Sequence, residues 1–210
     1  MEKYYVTISR QFGSLGRSVA HELSQLLGIE YYDRDIVEET SRKMSLPVSA
    51  VSNYEEKSIR SNLFNMLFPL GTDSIEKQDR IFRTQQQIIL NLADKNSCIF
   101  VGRCADYVLK DYKNCFNIFI YASEQARLTN CIDVLKMKAE DAKKMIREVD
   151  RARDLYWKRY ASYSPDNYQH RHFMIDSSLL GVTGTAELLD SIIRKRFDGI
   201  VFAEKRSIAP

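Results

Sequence analysis

The sequence predicts an α/β fold of three layers, in which helices flank a parallel β-sheet of five strands. Short apolar runs alternate with stretches whose apolar residues recur at helical spacing, and this alternation is typical of βαβ units. The run at 98–101, CIFV, is apolar throughout, as expected for a central strand of a parallel sheet. In residues 4–27 a strand, a glycine turn and a helix follow one another directly.

Each predicted strand is a short run of β-branched, aromatic or other apolar residues. The predicted strands cover residues 4–8, 29–32, 98–101, 116–121 and 173–175. Helices are predicted over 18–27, 36–44, 73–95, 136–160 and 184–197, with shorter ones near 107–109 and after 123. Gly28 suits the C-cap of the first helix, and Ser123 suits an N-cap.

The 210 residues predict a single domain with 44% hydrophobic residues, which is enough for a substantial core. Residues 44–77 are polar helical pieces that are interrupted by Pro69 and Gly71. They predict a helical insert over the sheet, and a plain helical connection is the alternative. The charged helical segment at 136–166 is a candidate lid, although mixed charges also suit a solvated face. Residues 198–210 are expected to form a loose tail.

Charge and hydropathy narrow the class of protein. The net charge is only +3, which gives no case for a nucleic-acid-binding surface. Neither a signal peptide nor a membrane-spanning run is visible, so we expect a cytoplasmic protein with no membrane partner. The four cysteines form no C-x-x-C pair and are expected to be reduced.

The glycine turn after the first strand is the strongest candidate site. A helix that begins directly after such a turn presents free backbone N–H groups, which can hold an anion. We expect Gly13 and Gly16 to allow close approach of a ligand, and Arg17 adds a positive charge. An ordinary strand-to-helix turn is the alternative interpretation.

The turn matches the phosphate-loop pattern G-x-x-x-x-G-K-[ST] only in part. Arg17 occupies the lysine position, Ser18 fills the Ser/Thr position, and Gln11 stands where the first glycine is expected. Arginine binds phosphate as a planar fork, so this exchange alters the geometry of the contact.

Ligands of open parallel sheets bind beyond the carboxyl ends of the strands, and charged residues gather there in this sequence. Arg10 ends the first strand, Asp33-Arg34-Asp35 the second and Arg103 the third. Arginines at that edge suit a polyanionic ligand, and Asp33 or Asp35 could hold Mg²⁺ or orient an attacking oxygen. Structural salt bridges are the alternative role for these charges.

The pair His170 and His172 could suggest a metal site. No Cys, Asp or Glu at ligand spacing accompanies them, so a zinc site is disfavoured. His21 is expected on a helix surface.

Four motifs together resemble the cytidylate kinase-like family, whose members are similar to bacterial cytidylate kinases. They read VTISRQFGSLGRSVA (6–20), YYDRDI (31–36), CIFVGRCADYVL (98–109) and IFIYASEQARL (118–128). The resemblance extends from Tyr4 to about Phe197. It implies a three-layer phosphate-loop kinase fold that uses ATP and Mg²⁺ to phosphorylate a nucleotide or other small acceptor.

The resemblance also implies roles for individual residues. Arg103 would fix the phosphate of the acceptor, but Cys104 stands where cytidylate kinases have an aspartate, which weakens any inference of cytosine recognition. Arg151 and Arg153 resemble lid arginines that reach the transferring phosphate. The donor phosphates would lie against Gly13, Ser14, Leu15, Gly16, Arg17 and Ser18, Mg²⁺ would be held by Ser18 and Asp33, and the acceptor by Arg34, Asp35 and Arg103.

The residues leave the reaction itself open between three hypotheses. The first is ATP-dependent transfer of a γ-phosphoryl group to a nucleotide acceptor such as a nucleoside monophosphate. The second is a nucleotide-binding regulator without catalysis, favoured by Gln11, Arg17 and Cys104. The third is a kinase of a small acceptor that is not a nucleotide, because this fold serves many acceptors.

Overall fold

The computed structural model describes residues 2–45 and 72–197. The predicted tail and most of the predicted insert (46–71) lie outside the described residues. The strands are β1 (Tyr5–Arg10), β2 (Glu30–Tyr32), β3 (Cys98–Val101), β4 (Cys115–Tyr121) and β5 (Phe173–Asp176). The helices are α1 (Gly16–Leu27), α2 (Arg34–Met44), α3 (Thr72–Ala93), α4 (Ala105–Val108), α5 (Glu124–Asp133), α6 (Ala139–Ala161) and α7 (Gly181–Arg196).

The five strands form one parallel sheet in the order β2-β3-β1-β4-β5, as the alternation of elements predicts. The central strand β1 pairs in parallel with β3 on one side and with β4 on the other. All six residues of β1 are buried. The strand order places the loop after β1 in the middle of the carboxyl edge, between the loops that follow β3 and β4.

Helices cover both faces of the sheet, and the alternation of side chains along β1 separates two apolar clusters. On one face Val6 and Ile8 pack with Leu23 of α1 and Leu189 of α7. On the other face Tyr5 packs in a cluster with residues of α3, α4 and α6, among them Ile89, Leu109 and Trp157. The three-layer architecture is therefore confirmed.

The predicted caps are found where the sequence places them. Gly28 has a φ of 67° and donates its N–H at the end of α1, and the Ser123 hydroxyl accepts from the Ala126 N–H at 3.2 Å. The last helix begins at Gly181, three residues earlier than predicted. Within the described residues, no helix is both long and apolar enough to cross a membrane.

All four cysteines are free and buried. Burial raises the pKa of the Cys98 thiol to about 12. The same cause raises the pKa of the Cys115 thiol to about 12. These side chains act as small apolar residues of the core, as their positions in apolar runs suggest.

Candidate functional site

The glycine turn joins β1 to α1 at the centre of the carboxyl edge. Leu15 adopts a left-handed conformation with φ 56°, and the helix begins at the next residue. The Val19 N–H donates to the Leu15 carbonyl at 3.0 Å. The amides of Gly16, Arg17 and Ser18 come before this bond and point beyond the helix N-terminus, where an anion can accept from them.

Internal hydrogen bonds fix the turn against the neighbouring strands. Gln11 accepts through Oε1 from the Ala122 N–H at 3.2 Å, which ties the turn to the end of β4. The buried Ser14 hydroxyl donates to the Gln11 carbonyl at 2.9 Å, and the Ser14 carbonyl accepts from the Ser177 hydroxyl at 2.7 Å. The Ser14 N–H also donates to the Gln11 carbonyl, at 3.5 Å, so both donors of Ser14 have a partner within the turn.

The two glycines of the turn are packed against protein. A Cβ at Gly13, which has φ +78°, would lie 2.8 Å from the Arg127 carbonyl oxygen. A Cβ at Gly16 would lie 2.8 Å from Cβ of Arg10. Their surroundings therefore indicate tight packing of the turn onto β1 and α5. The close approach of a ligand at these glycines stays a prediction.

Asp33 lies at the end of β2 and contacts three arginines, which come from β1, from α1 and from the turn after β3. Its Oδ1 accepts from Arg103 Nη1 at 2.5 Å and lies 3.7 Å from Arg10 Nη2. Its Oδ2 accepts from Arg17 Nε. The Asp33 side chain is 1% exposed and that of Arg17 is 53% exposed, so only Arg17 extends this cluster into solvent.

Arg103 is held in an unusual backbone conformation. Gly102, Arg103 and Cys104 are three successive residues with positive φ, at 78°, 54° and 51°. Such conformations cost energy in residues other than glycine and concentrate at functional sites. The turn aims Arg103 at Asp33, while Cys104 is fully buried in the cluster with α3, α4 and α6.

A second charged network holds α5 and α6 against the turn. Arg127 donates through Nε to the Phe12 carbonyl at 2.7 Å and through Nη2 to Asp150. Asp150 also accepts from the Phe12 N–H at 2.7 Å. Arg153, one turn further along α6, donates to the Arg10 carbonyl at 2.8 Å. The middle of α6 is therefore docked on the turn.

Burial raises the pKa of the Asp150 carboxyl, and the N–H of Phe12 and the guanidinium groups of Arg127 and Arg153 oppose that rise. The arginines thus compensate a carboxylate that would be costly to bury alone. In the part of the chain that the structure describes, the two networks bring five arginines and two aspartates to the glycine turn, so positive charge prevails among them (Arg10, Arg17, Arg103, Arg127, Arg153, Asp33, Asp150).

The structure brings together Arg17, Asp33 and Arg103 of the residues expected at the site. Ser18 is exposed at the start of α1, Asp35 is exposed on α2, and Arg151 is exposed on α6. Arg34 is the first residue of α2, but its side chain lies outside the described part of the structure.

Sequence reasoning missed Arg127 and Asp150. An arginine in the apolar motif IFIYASEQARL was the available signal for Arg127. Asp150 stood among many charges of a helix that looked solvated, so nothing distinguished it.

His170 and His172 have separate partners. The ring of His170 stacks on Tyr163 with centroids 3.7 Å apart, and Nδ1 of His172 accepts from the Asn117 N–H at 2.9 Å. No cluster of three or more potential metal ligands occurs in the ranges 2–45 and 72–197.

Comparisons with known proteins agree on the fold. A structure described as an uncharacterized protein from Eubacterium ventriosum has a TM-score of 0.67 at 20% identity, covering 94% of this chain and 100% of that one. TT1252 from Thermus thermophilus gives a TM-score of 0.56 at 10% identity, with 93% and 98% covered. A shikimate kinase from Acinetobacter baumannii in complex with shikimate gives 0.53 at 14% identity, with 93% and 96% covered. At these identities the likeness concerns the fold, which is that of phosphate-loop kinases.

No curated protein sequence matches the chain. The sequence profile of the cytidylate kinase-like family matches residues 5–179, from the start of β1 to beyond the end of β5. The match includes the glycine turn, Asp33, Arg103 and both charged networks. The protein therefore belongs to the cytidylate kinase-like family.

Proposed function

We propose that the protein is a phosphotransferase that moves the γ-phosphoryl group of ATP to a nucleotide or another small acceptor. The observation that carries the proposal is the convergence of Arg10, Arg17 and Arg103 on Asp33 beside the N-terminus of α1. Phosphoryl transfer asks the protein mainly for positioning and for positive charge around the transferred group. The family match supports a kinase in the same way.

The donor phosphates fit the residues at the start of α1. Arg17 and Ser18 are exposed there and line a cavity of about 430 Å³ together with His21, Tyr31 and Val182. The N–H groups of the first turn would donate to the triphosphate, and the Arg17 guanidinium would bind one of its phosphates as a fork. Asp33, buried behind Arg17, would set the direction in which that guanidinium points.

Mg²⁺ fits Ser18 better than Asp33. Both oxygens of Asp33 already accept from arginines, and three guanidinium groups would repel a dication at that carboxylate. The exposed Ser18 hydroxyl is available as an oxygen ligand. Mg²⁺ would neutralise charge on the donor phosphates when bound with ATP. For Asp33 we therefore propose the role of positioning Arg17 and Arg103.

The acceptor would lie on the side of Asp33 that faces α2. Asp35 lines a groove of about 350 Å³ between α2 and α3, with Arg42, Lys43 and Lys95 also at its walls. Arg103, which donates to Asp33, would fix an anionic group of the acceptor, with Arg34 and Asp35 contacting the rest. A nucleoside monophosphate is one such acceptor, and a small anionic alcohol is another.

A lid role for α6 would require a change from the docked state. Arg153 is 9% exposed and is held by the Arg10 carbonyl, whereas Arg151 on the same helix is exposed. Arg151 is therefore the better candidate for a lid arginine that stabilises the transferring phosphate. Arg153 would position the turn.

One observation favours the regulator hypothesis as a second candidate. The Nε of Arg17 is engaged by Asp33, so a nucleotide could bind through the turn without an arginine free to follow the transferring phosphate. Such a protein would bind ATP and show no turnover.

A phosphoryl-transfer screen with γ-labelled ATP against nucleotides and small alcohols tests the proposal. Calorimetry then measures the affinity for Mg-ATP in the parent, in Arg17→Ala and in Arg147→Ala, an exposed arginine that serves as the control. We expect transfer to at least one acceptor and an affinity loss of about tenfold or more in Arg17→Ala alone. Binding without transfer to any acceptor would favour the regulator. Equal affinity in all three proteins would remove Arg17 from the donor site.

A further inference from the structure

A third cavity, of about 480 Å³, lies at the end of the sheet opposite the glycine turn. Asn117, near the start of β4, and His172, directly before β5, contribute to it, so it opens at the amino ends of these strands. The remaining walls come from α4 with the turn after it and from the segment between α6 and β5. They are Asp106, Tyr107, Lys110, Ala161, Tyr163, Gln169, His170 and Arg171.

The buried carboxylate in this wall is already satisfied. Asp106 accepts from Trp157 Nε1 at 3.1 Å, from the Tyr163 hydroxyl at 2.8 Å and from Arg171 Nη1. The side chains of Asp106 and Arg171 are 1% and 0% exposed and form an ion pair. The charge of Asp106 is thus neutralised within the wall.

The donors of the wall include one without an acceptor. Arg171 donates through Nε to the Pro165 carbonyl at 2.6 Å, but its buried Nη2 has no hydrogen-bond partner within residues 2–45 and 72–197. Buried donors in folded proteins are nearly always satisfied, by protein, water or a ligand. Lys110 and Gln169 are exposed on the same wall and carry further donors.

His172 is fixed as a donor by its surroundings. Its Nδ1 accepts from the Asn117 N–H, so the neutral ring carries its proton on Nε2. The ring is held flat against Phe116, with the two planes 11° apart. Burial, Arg196 and Arg171 lower the pKa of His172, which indicates positive electrostatic surroundings.

From these contacts we propose that this cavity is a binding site for a small anion, a phosphate or carboxylate group, held by Lys110, His172 and Arg171. The site is separate from the glycine turn and does not depend on the phosphotransferase activity. A phosphate would supply several acceptor oxygens to the donors of Lys110, His172 and Arg171.

The three histidines of the chain make a direct test possible by NMR of the imidazole signals. Inorganic phosphate is titrated into the protein at pH 7.5, with sodium chloride at matched ionic strength as the reference, and signals are assigned with His21→Gln and His170→Gln. We expect the His172 signal to shift saturably with phosphate and not with chloride. The same shift should persist in Arg17→Ala, where binding at the glycine turn is weakened.

Lys110→Ala and Lys113→Ala form the matched pair of variants, because both lysines are exposed and only Lys110 lines the cavity. Phosphate affinity at His172 should fall about tenfold in Lys110→Ala and stay at the parent value in Lys113→Ala. Arg171→Lys, checked for an unchanged fold by circular dichroism, should also weaken binding. An unsaturable shift, or equal affinity in the two lysine variants, would overturn the site.

Discussion

Arg103 and Asp33 stand 70 positions apart in the sequence, yet Arg103 Nη1 donates to Asp33 Oδ1 at 2.5 Å in the protein interior. Both side chains are nearly inaccessible, at 6% and 1% exposure. The pair joins the end of β2 to the strained turn after β3, and Arg10 and Arg17 approach the same carboxylate. Within the described residues, Asp33 is thus the carboxylate that these three arginines share.

Asp33→Asn should destabilise the fold, because it removes the carboxylate that the buried guanidinium groups of Arg10 and Arg103 share. Removing one partner of a buried ion pair costs about 3–5 kcal/mol, and the retained amide should keep the loss near the lower figure. Urea unfolding measures the free energy. Asp35→Asn, an exposed neighbour on α2, is the control and should change it by less than about 0.5 kcal/mol. Equal losses in both variants would contradict the central role of Asp33.

Gly13→Ala should be far more costly than Gly181→Ala. Both glycines have positive φ, at 78° and 66°, so both substitutions carry about 1–2 kcal/mol of backbone strain. Only at Gly13 does the new Cβ meet protein, 2.8 Å from the Arg127 carbonyl, whereas nothing lies within 4 Å at Gly181. The difference in unfolding free energy should therefore exceed about 1 kcal/mol. Similar losses would mean that the turn relaxes without cost.

Arg127→Ala should loosen the glycine turn, because it removes the donor to the Phe12 carbonyl and the partner of Asp150. Hydrogen exchange of residues 11–18 should become faster, and the free energy of unfolding should fall by about 3 kcal/mol. Arg147→Ala, an exposed arginine of α6, should change neither quantity. If the turn exchanges at the parent rate in Arg127→Ala, the clamp does not control its order.

Substitutions at the two arginines of the predicted lid should affect different quantities, stability for Arg153 and turnover for Arg151. Arg153→Ala should lower the free energy of unfolding by about 1–3 kcal/mol, because it removes a buried donor to the Arg10 carbonyl. Arg151→Ala should leave stability unchanged and reduce turnover by roughly a thousandfold, with ATP affinity preserved. Chemical denaturation and steady-state kinetics on an identified acceptor measure these effects. Parent-like turnover in Arg151→Ala would return α6 to a purely structural role.

His172 should make stability depend on pH below neutrality. Burial and the charges of Arg196 and Arg171 lower its folded pKa beneath the ordinary 6.5, so the unfolded chain binds more protons in that window. Stability therefore rises with pH through the window and is lost as the pH falls below 6.5. Unfolding at pH 5.5 and 7.5 should show a smaller difference in His172→Gln than in the parent or in His170→Gln. An unchanged difference would exclude His172 as the cause.

The order of strands and helices could be predicted because each element has a local sequence signal. The run CIFV marks β3, and Gly28 and Ser123 mark helix ends through their own backbone and hydroxyl chemistry. The Arg17–Asp33–Arg103 cluster followed from a topological rule, since strand ends of a parallel sheet meet at one edge.

The docking of α6 on the turn could not be predicted in the same way. It depends on Asp150 meeting the Phe12 N–H across 138 positions of sequence, and such a contact has no local signature. The packing around Gly13 could not be predicted for a related reason. The sequence reveals that a residue lacks a side chain, but not which neighbour fills that space, here the carbonyl of Arg127.

The four buried thiols can report where the folded protein opens, because each becomes reactive only when its surroundings open. The thiolate is the reactive form of cysteine. Burial protects these side chains because it excludes reagents, and it also raises the pKa of the Cys98 and Cys115 thiols. Alkylation at Cys98 and Cys115 should therefore require unfolding of the sheet. Cys131, beneath Gly13 on α5, should be alkylated whenever α5 lifts from the turn. Mass spectrometry of a single labelling time course would then resolve local from global unfolding without any substitution.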